Sequence, residues 1–246
     1  MAFFRGPSIV TDGLVLYLDA ANPDSYPGSG TSWFDISGNG NHFTLYNGVS
    51  FSGSEKGVLV FDGVNDYASS NNTINLNQFS QIMIEVYCKT NSSPSASALV
   101  FESSANWNTV TGGLGFAINS NGNIFTLNSN HTNHNTQGAR NYLSIDNSQW
   151  NQHVNIFSKI ADSTGRLTYL NSNLNNFVVG PGYSTSTATA GDNRSFANDT
   201  FYIGSRAGTS GFFNGSISSL KIYGFKTSSD QIAQNYNAFK TRFGLS

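Results

Sequence analysis

Residues 81–89 read QIMIEVYCK, an unbroken alternation that puts Ile82, Ile84, Val86 and Cys88 on one face and Met83, Glu85, Tyr87 and Lys89 on the other. Successive strand side chains point to opposite sides, so this run predicts a half-buried β-strand and is incompatible with a helical stripe. The segment LVLYLDA repeats the pattern, with Leu14, Leu16 and Leu18 alternating with Val15, Tyr17 and Asp19. Further strand candidates are VLVFDG, ALVFES, GLGFAIN, NIFTLNS, NYLSI, HVNIFSKI, RLTYLNS, FYIGS and SISSLKIYGF. HVNIFSKI, with Val154, Ile156 and Ile160 sharing a face, and RLTYLNS lie close enough in sequence to pair as a hairpin. No helical period separates the strands, which rules out parallel βαβ units and predicts antiparallel sheets packed face to face.

One stretch departs from this pattern. SSDQIAQNYNAFKTRFG spaces Ile232, Tyr236, Phe239 and Phe243 as one face of a helix over 228–243. Ser228 with Gln231 forms a capping-box pattern, Asp230 suits the positive end, Lys240 and Arg242 the negative end, and Gly244 the stop. The apolar stripe is expected to pack on the edge of the sandwich. The expected organisation is thus one domain over residues 1–246. Two polar loops, Asn128–Arg140 and Gly180–Asn198, interrupt the strands.

Only 11% of the residues are charged and the formal net charge is −2, so no basic field draws in nucleic acid or an anionic membrane. The aromatic content of 13% supplies enough apolar area to oppose disorder. A lone cysteine, Cys88, cannot form an internal disulfide. The first residues lack the pattern of a signal peptide and no run of apolar residues is long enough to insert in a membrane, so synthesis and folding in a cytoplasm are expected.

Three motifs resemble the concanavalin A-like, laminin-G-like lectin/glucanase modules: TSWFDISGNGNHFTLYNG (31–48), VLVFDGVNDYASS (58–70), and FYIGSRAGTSGFFNGSISSLKIYGF (201–225) running into the helix. The resemblance implies an all-β, antiparallel two-sheet jelly-roll sandwich with one C-terminal α-helix, used for carbohydrate or protein recognition. It further implies an Asn214-Gly215 turn leading into an outer strand. GLVLYLDAANPDSYPGSGTSWFDISGNGN and IAQNYNAFKTRFGL are also similar to sequences in structural proteins of tailed phages, marine ones in particular. Physical reasons support the motifs independently: Gly38, Asn39 and Gly40 tolerate left-handed backbone, and Asp62-Gly63 can turn the chain through an Asx bond.

Catalysis finds little support. The glutamates Glu55, Glu85 and Glu102 form no i, i+2 carboxylate pair of the sort a retaining glycosidase needs, and there is no Gly-x-Ser-x-Gly elbow. His131 and His134 read as a solvated loop rather than a zinc site, and Cys88 as a core residue. The resemblance makes Ca2+ the one cofactor to consider, with Asp35, Asn39, Asn41 and Asp62 as candidate oxygen ligands. Trp107, Trp150 and Tyr183 are the candidate aromatic contacts for a sugar. The leading expectation is a non-catalytic phage virion structural or decoration protein, located in the virion, whose partners are other virion proteins, copies of itself and host-surface glycans. A free lectin-like carbohydrate-binding module is the alternative, and a glycoside hydrolase comes third.

Overall fold

A computed structural model of the chain describes residues 8–91, 97–104, 112–118, 123–128, 143–144, 149–159, 166–175, 195–225 and 228–245. In chain order the first strands are β1 (Leu14–Asp19), β2 (Ser32–Trp33), β3 (Phe43–Tyr46), β4 (Ser50–Ser52), β5 (Val58–Asp62) and β6 (Tyr67–Ser70). Next come β7 (Ile74–Asn75), a 3-10 turn (Leu76–Gln78), β8 (Gln81–Thr90), β9 (Ala98–Glu102), β10 (Leu114–Ile118), β11 (Asn123–Asn128) and β12 (Leu143–Ser144). The series closes with β13 (Asn151–Ser158), β14 (Arg166–Leu170), β15 (Asn173–Asn175), β16 (Asn198–Asp199), β17 (Tyr202–Ile203), β18 (Asn214–Tyr223) and the helix α1 (Ser229–Phe243).

Two sheets form the jelly-roll sandwich. Sheet A runs β15-β14-β13-β8-β18-β5-β4, with β1 also paired to β18, and sheet B runs β12-β11-β10-β9-β17-β6-β3-β2. The pairings within both sheets are antiparallel, including the expected β13–β14 hairpin. The main core lies between the sheets. Ile82, Ile84, Val86 and Cys88 of β8 meet Trp33, Phe43, Phe101 and Phe116 of sheet B there. Burial raises the Cys88 thiol far above its usual range, so it stays protonated and packs as a small apolar group.

The other face of β8 is not solvated, contrary to the half-buried expectation. Met83, Glu85 and Tyr87 are fully buried because α1 lies across the outer face of sheet A and not at its edge. Met83 packs with Val154, Ile156, Tyr223 and Ile232 in a second core, and Tyr87 stacks on Phe239 at 4.8 Å between ring centroids. The helix is capped as its sequence requires: Ser228 Oγ accepts from Gln231 N, Gln231 Oε1 accepts from Ser228 N, and Gly244 closes the end in the left-handed region.

Two further expectations are corrected. Leu14 does not share a face with Leu16, because a bulge between them shifts the register; Leu14 joins the second core while Val15 packs on the first. Asn214-Gly215 is not a turn. Both residues lie inside β18, a central strand in register with Asp62 and Phe61, and a Cβ on Gly215 would stand 2.3 Å from the Lys89 carbonyl oxygen. Close packing, not left-handed backbone, selects that glycine. Ile160, His131, His134 and almost all of the two polar loops fall outside the described residues.

His153 on β13 faces the main core, 5.0 Å from the Phe116 ring, with neither ring nitrogen hydrogen-bonded. Burial lowers its pKa from 6.5 to about 3. The unfolded chain therefore binds the extra proton first, and the contribution of this residue to stability is lost as pH falls from 6.5 towards 3. Urea midpoints measured at about pH 7.5 and about pH 4.5 will show this drop, and His153→Leu will reduce it. An unchanged pH dependence in His153→Leu assigns the acid sensitivity to other groups.

Candidate functional site

The turn between β2 and β3 packs against β1 and is organised by one carboxylate. Asp35 Oδ1 accepts from Tyr17 N at 2.9 Å and Ser37 N at 2.8 Å, and Oδ2 accepts from Ser37 Oγ at 2.8 Å and Asn41 N at 2.9 Å. Gly38 and Gly40 hold φ of 94° and 73°, the left-handed conformations that let the chain reverse in so few residues. The same turn brings Asn39 and Asn41 to the edge of β1. Asn39 Nδ2 donates to Leu14 O, Val15 O and Ser37 Oγ, and Asn41 Nδ2 donates to Val15 O. Phe34 is exposed and meets His42 edge-on, while Trp33 is fully buried.

Opposite these amides, the segment from β7 to the 3-10 turn closes a groove of about 350 Å3. Its lining adds Ile74, Asn75, Gln78 and Phe79 to Leu14, Val15, Asn39 and Asn41. Asn75 Oδ1 accepts from Asn77 N, and Gln78 Nε2 donates to Asn75 O. Phe79 rests against Gly224, where an added Cβ would stand 2.4 Å from the ring. Gly224→Ala is therefore expected to tilt Phe79 into the groove and narrow it without unfolding the chain; a crystal structure and a thermal melt of the variant check this. Asp35→Asn removes the charge and turns one acceptor oxygen into an NH2 group, leaving two of the four donors without an acceptor, and is expected to cost about 2–3 kcal/mol, read from urea unfolding.

Of the residues singled out from sequence as metal ligands, Asp35, Asn39 and Asn41 do come together. Asp62 does not. It stands in register with Asn214, whereas Tyr17, held by Asp35, stands in register with Lys221; the intervening strand at about 3.3 Å per residue separates them by about 20 Å. Asp62 instead closes the β5–β6 turn, Oδ1 accepting from Val64 N, Asn65 N and Asp66 N. Burial works to raise its pKa, yet these donors outweigh it and hold the carboxyl below its usual range. Among the described residues no group of three His, Cys, Asp or Glu side chains is arranged to hold a metal ion.

Trp150 is half-buried and packs against the helix. Its ring lies 4.5 Å from Phe243 of α1, with Lys89 Nζ 5.6 Å from its centroid, so it clamps the helix end. Trp107 and Tyr183 lie outside the described residues. The groove residues Ile74, Asn75, Gln78 and Phe79 escaped sequence reasoning. Their signal was the interleaving of amides with apolar residues in INLNQF, which puts hydrogen-bonding groups and apolar surface side by side.

Sequence comparison defines the family. A family model described as the concanavalin A-like lectin/glucanases superfamily matches residues 61–233. The chain belongs to that superfamily. No curated protein matches it. Among solved structures, this lectin/glucanase superfamily member is similar to a Trypanosoma rangeli sialidase, with 13% identity and a TM-score of 0.65 over 96% of this chain and 34% of that one. It is also similar to the binding domain of botulinum neurotoxin DC, in complex with SialylT (12% identity, TM-score 0.65) and with rat synaptotagmin II (14%, 0.64). The superfamily member spans 34% of the sialidase chain and 52% of the toxin domain, and covers 93% of itself in the latter alignments. At these identities the likeness establishes the fold. No helix among the described residues is long and apolar enough to cross a membrane.

Proposed function

We propose that this chain is a non-catalytic, lectin-like module that binds a glycan in the groove between β1, the Asn39–Asn41 turn and Phe79. The observation that carries the reading is the pairing of planar amides with an aromatic ring in one concavity, the combination that grips hydroxyls and the apolar face of a sugar. The toxin binding domain of similar fold, in complex with SialylT, supports it. The non-catalytic part rests on the lining, which contains no carboxylate, imidazole, thiol or hydroxyl. The glutamates have other work: Glu55 pairs with Lys89 at 2.9 Å, Glu85 with Lys221 at 2.8 Å and Glu102 with Arg206 at 3.3 Å. Calcium has no part in this reading, because four donors already occupy the Asp35 carboxylate.

The similarity of residues 13–41 and 232–245 to tailed-phage structural proteins favours a finer reading, in which the module is displayed on a virion and uses the groove for host-surface glycans. Glycan-array binding by the purified chain tests the first proposal. Binding that is lost in Asn41→Ala and in Gln78→Ala, and that survives a chelator, is the expected result; a blank array sinks it. Mass spectrometry of purified virions tests the second, and absence of the chain from the particle overturns it.

A further inference from the structure

We infer that the groove takes a neutral, hydroxyl-rich sugar ring and turns away acidic sugars such as sialic and uronic acids. This rests on the glycan-binding reading and adds the chemical class of its ligand. The argument comes from which atoms of the amides are already committed.

Asn39 spends Nδ2 on the backbone carbonyls of Leu14 and Val15, at 2.9 and 3.2 Å, and Asn41 spends its Nδ2 on that of Val15, at 2.9 Å. A carbonyl oxygen only accepts, so neither amide can flip without placing oxygen against oxygen. Both Oδ1 atoms therefore remain acceptors, with no hydrogen-bond partner among the described residues. Across the groove Gln78 Nε2 is held by Asn75 O at 3.0 Å, leaving Oε1 as a third acceptor. Asn75 is the reverse case: its Oδ1 takes Asn77 N at 3.1 Å, leaving Nδ2 as a donor. The lining residues thus carry three acceptors and one donor not spent within the protein, with no cationic side chain.

A sugar hydroxyl both donates and accepts, and matches such a wall; a carboxylate only accepts, and meets lone pairs with no charge to compensate its lost hydration. The ammonium that touches this segment, Lys159 Nζ, is bonded to Asn77 O at 2.5 Å and Asn77 Oδ1 at 2.7 Å and does not line the groove. The size of the groove, near the lower end of about 300–1,000 Å3 for ligand pockets, suits a terminal ring.

The test uses the full chain and matched glycans ending in neutral, sialylated or uronic-acid units, titrated by calorimetry with and without EDTA. Neutral termini are expected to bind at least about tenfold more tightly than acidic ones, unaffected by EDTA. Gln78→Lys, at an exposed position, is expected to narrow or reverse that ratio, with circular dichroism confirming the fold. Acidic glycans that bind more tightly, through a site that Asn41→Ala abolishes, overturn the neutral preference while the groove stands. Neutral binding that EDTA removes overturns direct recognition by the amides, since a cation would then be bridging the oxygens. Glycan binding that is absent, or indifferent to Asn41→Ala and Gln78→Ala, overturns the groove itself.

Discussion

Lys221→Met is expected to destabilise the protein by about 3–5 kcal/mol, the range for breaking one side of a buried ion pair. Lys221 Nζ and Glu85 Oε1 are 2.8 Å apart and both side chains are fully buried. Lys221 is held in an aromatic box, with Nζ 4.1 Å from the Phe239 centroid and 5.3 Å from those of Tyr17 and Tyr87. Removing the ammonium strands the Glu85 carboxylate under the helix, where water cannot replace its partner. Asn235 Nδ2 alone still reaches its Oε2, at 2.8 Å. The double variant Lys221→Met, Glu85→Gln removes both charges, keeps an acceptor for Asn235, and is expected to recover most of the loss. Chemical denaturation of the four proteins forms a double-mutant cycle. If the two single effects simply add, the charges act independently and this account of the second core fails.

Truncation after residue 227 has the other large effect. It strips α1 from sheet A and exposes Met83, Val154, Ile156, Tyr223 and Tyr87. Each such side chain contributes about 1.5–3 kcal/mol on burial, so their combined exposure approaches the whole stability of a typical domain, about 5–15 kcal/mol. The truncated chain is expected to be insoluble or to self-associate through that face, as gel filtration will read directly. A soluble monomer with native-like melting would show that the helix is dispensable packing. Arg242 adds a polar clasp to the same end, donating to Asp19 Oδ1 at 2.8 Å and to Gly57 O at 2.7 Å.

The alternation in β8 and the spacing of Ile232, Tyr236, Phe239 and Phe243 made the sandwich and its helix legible in the sequence, since both patterns are local. What escaped was where the helix lies. Glu85 on the second face of β8 reads as solvated until Lys221, far away in the chain, is known to pair with it. The same holds for Asn214-Gly215, whose turn chemistry yields to the crowding of Lys89 and Phe213. For the site, Asn39 and Asn41 were found because the glycine turn around them is local, but as metal ligands. Their proposed role as sugar acceptors needs Asn75, Gln78 and Phe79, which only the folded chain sets opposite them. Trp150 offers only a ring in the sequence, and its partner Phe243 is again remote along the chain.

The position of β18 bears on how the molecule assembles. Along one edge this strand pairs with β5 through residues 214–217 and then, past a bulge, with β1 through 219–223, while its other edge pairs with β8. Among the described residues, these three earlier strands are thus joined to one another only through one that leaves the ribosome after them. Until it arrives, β1, β5 and β8 carry unpaired backbone edges of the kind that recruit other chains. Such remote closure makes for slow folding, so the protein is expected to depend most on chaperones during the interval before residue 223 emerges.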